Sequence, residues 1–404
     1  IGGTARSYKV GGFTFDITGH LLHLHYPYTK KLIRRLLKDN IFSCVRNTAI
    51  FSKGVYTEYP LQVNTYGLPD RVVKECVEGF RQAVTKYADP SLRSTSLPFE
   101  DWSKRTFGKG IHKHFMGPYN FKLWQTPLNE MTAEWCGMFV PQPKLEDVIR
   151  GSQGDNSKTF GYNATFLYPK RGGIQVLSEA LAKGLDIRLE TGFERMNWKD
   201  KTVTLESGET LNYDFLVSTL PLVELLNRTD GLPREIEHTR KKLRWTSILC
   251  INLGVNRAKI SDKSWIYFPE KEYVFYRVGF PMNFTPHAVP RGCSSMYVEV
   301  GYQPDKKLNW QSPAFQKRVR RDLEKCGILK RADKILVTSI VPVRHAYVVY
   351  TPDRKQTTDK LFSFLGDHQV QSIGRYGGWK YSFMEEAILD GKKAAEKIAG
   401  VNPA

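Results

Sequence analysis

The chain has 404 residues, 60 of them Lys or Arg and 41 Asp or Glu, which leaves a formal net charge of +19. Hydrophobic residues at 41% and aromatics at 12% suffice for two or three domain-sized cores and exclude a disordered chain. The longest nearly apolar runs, 248–255 and 215–223, fall far short of the ~20 residues of a membrane-spanning helix, and six cysteines with no CxxC pair exclude a zinc ribbon or a dense disulfide framework.

Cysteine usage suggests a reducing, cytoplasmic setting, and a chain opening at Ile1 with no Met or targeting segment reads as cut from a longer one. In chain order, 7–16 reads as two short strands around Gly11-Gly12, 28–38 as a helix and 51–63 as paired strands turning at Gly54. Helical periodicity follows in 71–87 and 98–115, in a block from about 70 to 151 that looks like an insertion. Residues 161–169 are extended, Gly172-Gly173 opens a helix through Ala182, and 186–190 is expected as a strand. A three-stranded pattern covers 193–199, 201–206 and 210–213, and 215–219 is one further apolar strand. Strands are also expected at 245–255, 265–268, 273–280, 295–303 and 334–342. Val370–Ile373 reads as a strand, Gly374–Gly378 as a loop, and 382–400 as a strong helix.

Basic residues cluster at Lys30-Lys31 with Arg34-Arg35, at Arg240-Lys241-Lys242, and at Lys317-Arg318 with Arg320-Arg321. No zinc-finger or RNA-recognition signature accompanies them, which argues against nucleic acid. An anionic membrane surface, an anionic small substrate and simple solubility stay open.

The strand–GxGxxG–helix fingerprint of dinucleotide sites is absent; Gly108-Lys109-Gly110 lacks the third glycine and a preceding strand. Two other glycine segments stand out. Gly2-Gly3 allows the backbone to pass close to a ring or phosphate where a Cβ would intrude, although an ordinary turn explains it equally well. Gly374-Arg375-Tyr376-Gly377-Gly378, followed by Tyr381-Ser382-Phe383-Met384, joins a strand, a glycine loop and the start of a long helix, whose free N–H groups suit an anion or a carbonyl.

Ile1-Gly2-Gly3-Thr4-Ala5-Arg6-Ser7, with Gly19-His20 behind it, resembles the second glycine motif of FAD enzymes in the amine oxidase, protoporphyrinogen oxidase and UDP-galactopyranose mutase superfamily. There the fingerprint lies upstream, so the resemblance implies that the first βαβ unit precedes this chain. The C-terminal segment resembles the mutase's closing motif at the flavin ring and pyrophosphate. Gly19-His20-Leu21-Leu22-His23 is similar to the mutase HxxH beside the flavin, which has Pro where Gly19 stands; a zinc pair is the weaker reading of His20 and His23. The resemblance thus implies FAD contacts from Gly2, Gly3, Arg6, Gly19, His20, His23, Gly374, Arg375, Tyr381, Ser382 and Met384. It implies substrate contacts from Asn64 in 60–65 and from Tyr119, Asn120 and Trp124, whose other reading is a buried aromatic pair. Arg277, Tyr350 and Tyr381 would grip a diphosphate, Arg277 through the planar fork that suits phosphate oxygens; a surface ion pair with Glu270 or Glu272 is the plainer account of Arg277. The stretch 135–163 lacks the mutase's paired lid arginines. Residues 119–127, 130–135 and 280–284 look like a broader group of oxidase-like bacterial flavoproteins.

The expected fold is therefore α/β: a Rossmann-like FAD core of glutathione-reductase type from 1–40, 166–235 and 364–404, a β-rich substrate domain from 41–69 and 236–363, and a helical insertion at 70–165. The resemblance implies flavin-mediated pyranose–furanose isomerisation of a nucleotide-diphosphate sugar, in cell-surface polysaccharide biosynthesis, with an electron donor to reduce the flavin. The alternative is an oxidoreductase taking a hydride from an amine, a porphyrinogen or another small organic substrate. A third reading is a binding protein that has lost its flavin. No metal, nucleic-acid or integral membrane partner is expected, and a homo-oligomer is possible on this reading.

Overall fold

The computed structural model describes residues 1–400 except Met138, Thr159, Tyr162 and Asn163. A hairpin of β1 (Ser7–Val10) and β2 (Phe13–Asp16) turns at Gly11-Gly12, both at positive φ. Helix α1 (Pro27–Leu37) begins on a proline, whose missing N–H costs nothing in a first turn, and it buries Thr29, Ile33 and Leu37. Strands β3 (Ile41–Val45), β4 (Thr48–Ser52) and β5 (Val55–Glu58) follow, the last two turning at Gly54 as expected.

The helical block comprises α2 (Asp70–Lys86), α3 (Phe99–Ile111), α4 (Gly117–Trp124) and α5 (Leu145–Ser152). Helices α2 and α3 touch backbone to backbone: Gly108 sits at φ 80°, and a Cβ there would collide with the carbonyl of Gly79. One π-helical turn, His112–Met116, links α3 to α4 and brings Phe115 and Met116 into the wall of the main cavity.

Strand β6 (Thr165–Pro169) pairs with β3, and α6 (Gln175–Ala182) follows the Gly172-Gly173 turn; Tyr162 and Asn163 of the expected extended run lie outside the described residues. The strand expected at 186–190 does not form. Leu185, Ile187 and Leu189 are 65%, 41% and 61% exposed, and no strand among the described residues runs alongside to take their backbone hydrogen bonds. The three-stranded pattern forms as β7 (Phe193–Asn197), β8 (Thr202–Leu205) and β9 (Thr210–Asn212). After them come β10 (Leu216–Ser218), α7 (Leu222–Asn227) and α8 (Arg234–Arg240).

The remaining elements are β11 (Trp245–Val255), β12 (Trp265–Tyr267), β13 (Arg277–Gly279), β14 (Ser294–Tyr302), α9 (Pro313–Lys325), β15 (Ile335–Val348), α10 (Arg354–Asp367), β16 (Val370–Ser372), α11 (Gly374–Gly377) and α12 (Met384–Ile398). Seven strands form the main sheet in the order β15-β11-β14-β13-β12-β4-β5, antiparallel except for β12 beside β4. Strand β11 is buried on both faces, in keeping with its mostly apolar run from Ile248 to Val255. Ile248 faces a core shared with the helical block, while Leu249, Ile251 and Leu253 face a second core with Val319 and Leu323 of α9. Strands β10 and β16 pair in parallel as a separate two-stranded sheet.

The strand expected at 273–280 is reduced to β13. The reason is Lys122, whose ammonium Nζ donates to the carbonyls of Phe268 (2.7 Å), Glu270 (2.9 Å) and Phe275, while the Val274 N–H goes to Asp322 (2.9 Å). With those groups engaged, residues 273–275 stay out of the ladder, which begins only after Tyr276. Burial lowers the Lys122 ammonium to about 7. Gly374–Gly377 is a helical turn rather than the expected loop. No helix among the described residues is long and apolar enough to cross a membrane, and the six cysteines are unpaired.

Candidate functional site

A cavity of about 1110 Å³ opens where the N-terminal glycine segment, the helical block, the main sheet and the start of α12 converge. Of the residues singled out in the sequence, Gly2, Gly3, Arg6, Gly19, His20, His23, Tyr119, Asn120, Arg277, Gly374, Arg375, Tyr381, Ser382 and Met384 line it. They come from both ends and the middle of the chain.

Two anchors hold the glycine segments in place. Asp16 is buried and accepts from Ser7 Oγ (2.7 Å), the Tyr168 hydroxyl (2.7 Å) and the Ile174 N–H (3.2 Å), tying the first hairpin to the start of α6. Burial raises its carboxyl to about 6 against the lowering effect of those hydrogen bonds. Glu385, in the first turn of α12, accepts from the backbone N–H groups of His25 (2.7 Å) and Tyr26 (3.0 Å) and from the Thr29 hydroxyl, and it faces His25 Nδ1 at 3.0 Å. It thereby caps α1 from a helix some 360 residues away. Burial opposes its ionisation, but hydrogen bonds from Thr29, Tyr26 and His25 outweigh that and hold the carboxyl below its usual range.

On the sheet side, Arg277 and Glu299 lie directly opposite each other on β13 and β14. They form a bidentate pair, Nε to Oε2 at 2.6 Å and Nη2 to Oε1 at 2.8 Å, with the Glu299 side chain fully buried. The partner is thus Glu299 and neither Glu270 nor Glu272. Gly19 and Gly279 both leave room for Tyr297: a Cβ on either would strike its ring or hydroxyl. That packing explains a glycine at 19 where the mutase motif has proline.

Around the entrance to α12 the wall is aromatic. The rings of Tyr347 and Tyr381 stack at 5.8 Å and 18°, with Phe139 edge-on to Tyr381 at 4.7 Å. Arg375 lies within 5.3 Å of both tyrosine rings and donates to the carbonyls of Ser382 and Ala346.

Three predicted site residues do not line the cavity. Tyr350 is buried behind it, and its hydroxyl accepts the Tyr381 N–H (2.9 Å) while Arg354 covers its ring at 3.9 Å. Trp124 is wholly buried against Trp135 and Tyr381, so here the reading as a packed aromatic holds. Asn64 is buried beyond the cis Tyr59-Pro60 turn, and Gln62 takes the position at the wall. Sequence reasoning missed Gln62, Tyr297, Glu299 and Tyr347. For Glu299 the signal exists only once strand register is known. Among the described residues no group of His, Cys, Asp and Glu could hold a metal ion.

The wall fits a flavin. Gly3 (φ 56°) and Gly374 (φ 79°) have open space where a Cβ would stand, so the backbone is bare along the cavity at both glycine segments. The first turn of α12 offers free N–H groups beside them. Among the described residues, the buried polar side-chain atoms of the lining with no hydrogen-bond partner include His20 Nδ1, Gln62 Oε1, Asn120 Oδ1 and Ser382 Oγ, a condition that costs ~1–3 kcal/mol per group until something satisfies it. Burial, with the charges of Arg375 and Arg277, lowers His20 to about 4, and burial lowers His23 to about 4, so both are neutral near pH 7.

Comparison with known proteins agrees with this geometry. The family described as flavin containing amine oxidoreductase matches residues 1–399. The structure of a reduced UDP-galactopyranose mutase superposes with a TM-score of 0.91 at 27% identity, covering 98% of this chain and 86% of that one. Putrescine oxidase bound to putrescine gives 0.63 at 16% identity, covering 99% and 91%. A fatty acid isomerase from P. acnes that produces CLA gives 0.63 at 13%, covering 98% and 90%; the last two show the fold alone.

Proposed function

The chain belongs to the flavin-containing amine oxidoreductase family and is an FAD-dependent enzyme; we propose that its reaction is the mutase-like isomerisation of a nucleotide-diphosphate sugar. The observation that carries this reading is the likeness to the mutase structure over 98% of the chain, joined to a cavity that holds Arg277, Tyr119, Asn120 and Tyr381 together. On this reading the flavin core, the β-rich domain and the helical insertion meet at the cavity.

Gly2, Gly3, Arg6, His20 and the 374–384 segment would hold FAD, which supplies, when bound, a ring able to give or take electrons at a substrate carbon. The reaction requires the reduced form, so an electron donor is part of the proposal. The chain's own residues bind and orient. Arg277 has two of its nitrogens committed to Glu299, which leaves Nη1 for an oxygen of the departing diphosphate. Asn120 Nδ2 donates to the Met116 carbonyl (2.8 Å) and Gln62 Nε2 to the Pro141 carbonyl (3.1 Å). A carbonyl only accepts, so each amide nitrogen is fixed and each amide oxygen is the acceptor left for a hydroxyl or N–H donor. The stacked pair Tyr347 and Tyr381 excludes water, and Tyr350 acts through Tyr381.

One observation favours the oxidase alternative: Glu299 already balances the charge of Arg277 in a largely aromatic wall, which suits an uncharged organic substrate. The deciding experiment is a titration of the FAD-loaded protein with UDP, followed by flavin absorption. A saturable perturbation, weakened by ~2 kcal/mol in Arg277→Lys, supports the mutase-like reading. A flavin spectrum that ignores UDP but responds to an uncharged organic substrate moves the assignment to the oxidase.

A further inference from the structure

Of the three basic clusters in the sequence, two are partly offset by neighbouring carboxylates. Arg240 pairs with Glu237 (3.3 Å) and Lys242 with Asp353 (3.3 Å). Arg318 and Arg321 share Asp322 (3.8 and 3.3 Å), and Arg320 pairs with Glu324 (2.8 Å). The cluster on α1 differs. Lys30, Lys31, Arg34 and Arg35, with Lys38 at the helix end, are all exposed, and none has an ion-pair partner among the described residues. No acidic residue lies between Tyr26 and Lys38. The spacing i, i+1, i+4, i+5, i+8 gathers the five cations on one side of the helix, opposite the buried Ile33 and Leu37. At the N-terminal end of this face Tyr26 and Tyr28 are 53% and 45% exposed, and Lys392 of α12 sits 5.5 Å over the Tyr28 ring.

We propose that the outer face of α1 docks this enzyme on the surface of an anionic lipid bilayer. Charge complementarity is the argument: a dense, unopposed cationic face meets a negative leaflet, and exposed tyrosines suit the headgroup layer. Because the apolar face of α1 is spent on the protein's own core, the contact is adsorption without insertion, and it is salt-sensitive.

Co-sedimentation of the full chain with vesicles of phosphatidylglycerol and phosphatidylcholine, against pure phosphatidylcholine, tests this. Expected is binding to the anionic vesicles alone at low salt, lost at high salt, and at least tenfold weaker in K30E/K31E/R34E/R35E. The control K306E/K307E/K330E/K334E, which changes net charge equally, should bind like the parent. If the reversal fails to fold by circular dichroism, four alanines at the same positions replace it. Absence of binding to anionic vesicles, equal losses in both variants, or tighter α1-dependent binding of a DNA duplex than of vesicles at the same salt would each overturn the proposal.

Discussion

The cavity has two walls of opposite character. The sheet-side wall is mostly closed on itself: two nitrogens of Arg277 are matched by Glu299, and Tyr297 fills the space that Gly19 and Gly279 leave. The wall formed by the glycine segments and the start of α12 is unfinished, with bare backbone at Gly3 and Gly374 and unpaired polar atoms on His20 and Ser382. A wall that satisfies its own groups fixes shape, whereas a wall with unmet hydrogen bonds gains free energy when a polar ligand arrives. The lesson is that rigidity and cofactor affinity are assigned to different parts of one site.

Four perturbations sharpen that contrast. Glu299→Ala leaves the Arg277 guanidinium buried without its partner and should cost ~3–5 kcal/mol of stability in denaturant titration; Arg277→Met/Glu299→Met should recover most of it. On the flavin side, His20 stays neutral in the folded protein down to about 4, while in the unfolded chain it takes a proton near 6.5. Its contribution is therefore full above pH 6.5 and is lost as pH falls toward 4, by up to about 3 kcal/mol. His20→Gln should make that acid limb shallower, with His23 still contributing to it, and an unchanged limb would remove His20 from the account. Gly19→Ala pushes a Cβ into Tyr297 and should cost ~1–3 kcal/mol, read as a lower Tm with or without FAD. Gly3→Ala should cost only ~1 kcal/mol of stability, from its positive φ, yet weaken FAD binding measurably; a full loss of Tm with intact flavin affinity would invert the comparison.

Much of this was readable in the sequence where local rules decide. Proline at the start of α1, the periodicity of α2 and the mostly apolar run of β11 mark those elements, and the two glycine segments point to one site from opposite ends of the chain. The losses lie where a distant group decides. The segment before Arg277 has strand composition, but the ammonium of Lys122, some 150 residues away, takes its carbonyls. Residues 186–190 have strand composition too, yet a strand needs a neighbour. The resemblance assigns Tyr350 to a diphosphate, but β15 ends at Val348, and past the strand end its ring turns behind the wall while Tyr347, still in register, lines the cavity.

The carboxylate of Glu385 has a consequence for synthesis. It caps the helix that follows His20 and His23, so this part of the cavity wall lacks its clamp until Glu385 has left the ribosome. Without that carboxylate, residues 1–384 carry an unlatched cradle, and such long-range closure slows folding. A chain ending before residue 385 should hold no FAD, while the same chain extended through α12 should acquire it.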